Sequence, residues 1–77
     1  MVEKLRIKAI YDDFMRNVEL TEEQKRIINM LIQKESIVKI AMEIGVSQRT
    51  IGYEIRKLKD MYQDYVFTQT WKALLLL

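Results

Sequence analysis

The chain contains no proline and only two glycines, and one of these, Gly45, interrupts an otherwise helix-forming sequence at a defined place. Proline and glycine are the residues that most readily break a helix, so their scarcity leaves the backbone little alternative to helix. Ile, Leu, Met, Glu, Lys and Gln are frequent, and no strands alternating with turn clusters are visible. The expected fold class is all-α: a small helical bundle of four to five helices in a single domain spanning residues 1–77. So short a chain buries about 60–65 % of its unfolded surface. With no cysteine and no histidine it has neither a disulfide framework nor the usual zinc ligands. Its stability must come from helix packing or from oligomerisation.

Around Gly45 the residues are arranged in register. Ser36 is a good N-cap, and Ile37, Ile40, Ala41 and Ile44 follow it at helical spacing. Gly45 then ends the helix, because glycine takes a left-handed conformation without a Cβ clash. Val46 fills the angle beyond it, and Ser47 caps a second helix whose inward stripe is Ile51, Ile55, Leu58 and Tyr62. Small Ala41, four positions before the glycine, suits a close helix crossing. Residues 36–59 therefore read as a helix-turn-helix, a motif whose second helix can lie in a DNA major groove.

LTEEQKRIINMLIQ and then IAMEIGVSQRTI together resemble the tetrahelical helix-turn-helix domains, such as the LuxR-type response-regulator domain and region 4 of bacterial sigma factors. The shared pattern is Leu-Thr, a scanning helix rich in Ile and Leu, Ile-Ala before a Gly-Val-Ser turn, then Thr-Ile. It covers residues 20–58, about half the chain. The residues after Lys59 do not match a LuxR-type ending, so that family's dimer helix is not carried over. The resemblance implies a DNA-binding domain.

The flanking segments are expected to be scaffold. Residues 2–17 read as one amphipathic helix with Val2, Leu5, Ala9, Ile10 and Phe14 on its apolar side. Its basic Lys4, Arg6 and Lys8 come early and Asp12 and Asp13 late, against the preference of the helix dipole. Charge pairing of the Lys8–Asp12 kind is the favoured explanation, and a DNA-backbone contact the other. Thr21 and Gln24 form a capping box for a helix over 21–34, with Ile27, Ile28, Leu31 and Ile32 inward.

The net charge of +2 is too small to indicate nucleic acid, but its distribution does better. Residues 1–35 balance, 36–59 carry a positive surplus, and the rest is slightly acidic. On the second motif helix Arg49, Tyr53, Arg56 and Asp60 point outward, with Gln48, Thr50, Gly52 and Lys57 on the flanks. In a major groove Arg49 would bond guanine and Gln48 adenine, Ser47 and Thr50 would reach phosphates or bases, and Tyr53 a thymine methyl or phosphate. Lys39, Arg56, Lys57 and Lys59 would hold the backbone. Gly52 is unusual, since glycine inside a helix costs roughly 1 kcal/mol against alanine. It permits either a close approach to DNA or a crossing helix.

The last segment, 60–77, carries Met61, Tyr62, Tyr65, Val66, Phe67, Trp71 and four terminal leucines. Some of these should pack on the first helix. Four successive leucines cannot share one helix side, so Trp71, Leu74, Leu75, Leu76 and Leu77 are expected to form a homodimer interface. The run is too short for a membrane span, and the N-terminus has no signal-peptide core; a cytoplasmic protein is expected.

Catalysis is not expected. No glycine-rich phosphate loop or metal-spaced carboxylate cluster occurs, and the neighbours Asp12–Asp13 and Glu22–Glu23 diverge by about 100° on a helix. No cofactor or metal is implied. The leading expectation is a sequence-specific double-stranded DNA-binding protein, a small bacterial or phage transcriptional regulator acting as a dimer on half-sites about one helical turn, or a multiple of it, apart. The alternative is a helix-turn-helix-shaped interaction module for RNA polymerase, a sigma factor or another regulator, favoured by the low net charge and by acidic Glu54, Asp60 and Asp64. A DNA-binding subunit of a larger machine is a third.

Overall fold

The computed structural model describes residues 1–76, so Leu77, expected at the dimer interface, lies outside the described residues. Among the described residues five helices occur in order: α1 (Val2–Leu5), α2 (Lys8–Asn17), α3 (Glu22–Ile32), α4 (Ile37–Ile44) and α5 (Gln48–Leu75). There is no strand among the described residues, and the fold is a small all-α bundle. α5, at 28 residues, sets the longest molecular dimension of 47 Å. No helix among the described residues is long and apolar enough to cross a membrane.

One core joins all five helices through Leu5, Phe14, Ile27, Ile28, Ile40, Ala41, Ile51 and Leu58, all buried. α4 lies against the first turns of α5, with α3 behind both and α2 across the middle of α5. Phe14, fully buried, meets Tyr62 and Tyr65 edge-on at centroid distances of 5.6 and 5.2 Å. Asp13 accepts a hydrogen bond from the Tyr65 hydroxyl. Partial burial first, then that carboxylate, push the Tyr65 phenol up to about 12. Tyr62 and Tyr65 of the last segment therefore pack on the N-terminal helices, as expected.

The single helix expected over residues 2–17 is two. The backbone turns extended at Ile7, with φ −82° and ψ 117°. Leu5 and Phe14 are nine residues apart, which would set them about 180° apart on an unbroken helix. Both are core residues, and the break lets both face inward; Ala9, expected on the apolar side, is exposed instead. Arg6 explains part of the unusual basic start. Its Nε donates to the Ile32 carbonyl at 3.3 Å, satisfying a free carbonyl at the C-terminus of α3. The Lys8–Asp12 pair is not among the ion pairs of the described residues, which are Arg16–Asp13, Lys25–Glu22 and Lys39–Glu35.

The helix ends obey their local chemistry. Thr21 and Gln24 form the reciprocal capping box at 3.1 and 3.0 Å. α3 ends with the Glu35 N–H on the Met30 carbonyl and the Lys34 N–H on Leu31, which forces Lys34 to φ 64°. That left-handed conformation costs a side-chain-bearing residue about 1–2 kcal/mol. Lys34→Gly should therefore stabilise the fold by about 0.5–1 kcal/mol after glycine's own entropy cost, read as a higher urea midpoint with an unchanged slope.

Candidate functional site

The turn between α4 and α5 aims the first part of α5. Gly45 takes φ 83°, and the N–H groups of Gly45 and Val46 both donate to the Ala41 carbonyl, at 2.8 and 3.1 Å. Val46 is half-buried against the core. Ser47 then opens α5, its Oγ accepting the Thr50 N–H at 3.1 Å. Ser36 caps α4 in the same way through the Lys39 N–H. With Ile51 and Leu58 fully buried on the inner side, helical geometry turns Arg49, Tyr53 and Arg56 outward, at spacings of four and three residues.

Ser47, Gln48, Arg49, Thr50, Gly52, Tyr53, Arg56 and Lys57 are all exposed, as is Lys39 on α4. Tyr53 is 62 % exposed, too far out for a core aromatic. The Lys57 Nζ stands 5.8 Å from its ring centroid, a cation–π pair one turn apart. Arg49, Arg56, Lys57 and Lys59 enter no ion pair among the described residues. The ridge is therefore positively charged and uncompensated over about 10 Å of helix from Arg49 to Arg56. Exposed Asp60 and Asp64 come next on the same helix.

Some side chains are less available than their positions suggest. The hydroxyls of Ser47 and Thr50 bond to each other at 2.9 Å. Lys39 Nζ is 3.1 Å from the Glu35 carboxylate, so its charge is largely answered within the chain. For Gly52 the geometry separates the two explanations. A Cβ built there meets nothing within 4 Å, so no crossing helix accounts for it. The expectation of a crossing helix is set aside, and nothing inside the molecule requires a glycine there.

Two exposed features have weaker signals in the sequence. The Tyr53–Lys57 pair sits at the four-residue spacing that brings side chains together on a helix, a signal sufficient to find it. On α4, Val38 and Met42 share that spacing and are exposed beside Ile37; in the sequence they merge into an apolar helix. At the far end of α5, Trp71, Leu74, Leu75 and Leu76 are exposed, together with Phe67 and Val66. A shallow groove of about 440 Å³ lined by Asn17, Val18, Met61, Tyr65, Lys72 and neighbours opens on another side of α5. No family model matches this sequence, and comparison with curated proteins and with solved structures returns no match.

Proposed function

We propose that this chain binds double-stranded DNA sequence-specifically through the first three turns of α5, as a small transcriptional regulator of a bacterium or phage. The observation that carries the reading is the exposed Arg49–Tyr53–Arg56 ridge beside a glycine with open space around it. A helix meant only for packing gains nothing from Gly52, whereas one that lies against a groove floor or phosphate gains close approach. In this reading Arg49 and Gln48, exposed at the N-terminal end of α5, read base edges. Arg56, Lys57 and Lys59 bind phosphate and set affinity. The α4–turn–α5 unit acts as a helix-turn-helix in this reading, in keeping with the resemblance to tetrahelical domains.

Titration of labelled genomic fragments at low and moderate salt, against competitor DNA, tests it. Equal affinity for every fragment would remove the sequence-specific reading. Gly52→Ala gives a sharper result because its two effects have opposite signs. The free protein should gain about 1 kcal/mol, a rise in Tm of roughly 4–8 °C for a domain of this size. Affinity for a preferred duplex should fall by about tenfold or more, because the methyl group occupies the space of close approach. A more stable variant with unchanged affinity would mean that Gly52 does not face DNA.

A protein-binding module for the transcription machinery is the second reading, and Val38 and Met42 favour it. Met42 is 77 % exposed, and an apolar face on α4 suits a protein partner better than a phosphate backbone. Capture of RNA polymerase or a sigma factor that survives nuclease treatment would support this reading over the first.

A further inference from the structure

The outward line of α5 continues past Arg56. Phe67, Trp71 and Leu74 lie 18 residues beyond Arg49, Tyr53 and Arg56 respectively, about five full turns. They stand on the same side of one helix, about 27 Å further along. Phe67 is 71 % exposed and Trp71 55 %. With Leu74 and Leu75 they form an apolar stripe beyond the part of α5 that α2 covers.

We propose that a second copy of this chain covers the stripe, its α5 laid antiparallel across the first near Trp71. Area favours a full helix pair. Phe67, Trp71, Leu74 and Leu75 leave on the order of 500 Å² exposed in each copy, so a pair that covered them fully would bury at most about 1,000 Å², the lower limit for a biological interface. Val66 and Leu76, though exposed, lie off the stripe to either side of the helix and are left out of that area. Charge decides the direction. Parallel helices would set Asp60 and Asp64 against their own counterparts and press the two arginine ridges together. The antiparallel arrangement carries all four groups away from the crossing.

Centred on Trp71, that arrangement separates the two Asp60 positions by about 33 Å and the two Arg49 positions by about 66 Å. Because stripe and ridge share one line, the copies meet on the side that bears the ridges, and the ridges point in opposite directions. Resting on the DNA-binding reading, the consequence is that one dimer cannot lay both ridges on the same side of a straight duplex. It holds two duplexes, or two segments of one looped duplex. The expected half-sites one helical turn, or a multiple of it, apart on one duplex are replaced by a bridging geometry.

The test uses the full chain. Its mass in solution at tens of micromolar should be that of two copies, and Trp71→Glu or Phe67→Glu should return one copy with unchanged helical circular dichroism. The chain has no cysteine, so Asp60→Cys carries a single spin label; the expected distance between labels is about 33 Å. Native protein should capture two differently labelled duplexes together, whereas Trp71→Glu binds each duplex singly with unchanged affinity. A single-copy mass, or labels about 10 Å apart as in a parallel pair, overturns the proposal. A single-copy protein that binds DNA defeats the pairing alone. An antiparallel pair that binds no DNA upholds the pairing and defeats the DNA reading.

Discussion

Phe14→Ala is expected to remove about 3–5 kcal/mol from the stability of the fold, the largest loss of any single truncation in the core. The ring is fully buried and held edge-on by Tyr62 and Tyr65. Truncating such a side chain costs about 3–5 kcal/mol, through lost transfer energy and an unfilled cavity. A domain of 77 residues has a total stability on the order of 4–12 kcal/mol, so the loss is a large share of the whole. Urea denaturation monitored by circular dichroism measures it. A loss below about 1 kcal/mol would mean that α2 is not part of the cooperative core. The lost contacts lie on the far side of α5 from the arginines, so any DNA binding that survives at low temperature should keep its preference.

On the proposed DNA-binding reading, Arg49→Ala has the largest expected effect on binding. A bidentate arginine–guanine contact discriminates by about 1–3 kcal/mol, so affinity for the preferred duplex should fall by roughly 5- to 150-fold. Preference at one base pair should relax while the other positions keep theirs. Lys57→Ala is the contrasting variant. It should weaken binding to all duplexes alike and reduce the slope of log affinity against log salt by about one. If Arg49→Ala behaved as Lys57→Ala is expected to, Arg49 would be a phosphate contact and sequence would be read elsewhere.

Much of this architecture is legible because it is set by neighbours in the chain. Thr21, Ser36 and Ser47 cap their helices and Gly45 turns left-handed, since these effects involve residues within one turn of each other. The inward stripe of Ile51 and Leu58 then determines which residues of α5 face out. The break at Ile7 is not legible, because no glycine or proline marks it. It arises from Leu5 and Phe14 both belonging in the core, and from Arg6 reaching Ile32 across 26 residues. The left-handed Lys34 is hidden for a similar reason, as lysine carries no signal for that conformation. The candidate site is legible in position but not in availability. Periodicity places Lys39 and Thr50 on the outside; Glu35 and Ser47 stand at neighbouring helical spacing from them, but spacing alone does not say that each side chain takes that partner, which the folded arrangement shows.

The contact between Asp13 and Tyr65 spans 52 residues, and it carries a kinetic consequence. The turn at Gly45 joins α4 and α5 through short loops, whereas docking α2 on α5 closes a loop most of the chain long. Closure entropy rises with loop length, so the α3–α5 corner should assemble first and α2 should dock after the rate-limiting barrier. In stopped-flow measurements, Ile51→Val should then slow refolding, while changes at Phe14 should act mainly by accelerating unfolding. The N-terminal third of the molecule would set the lifetime of the folded state without setting how fast that state is reached.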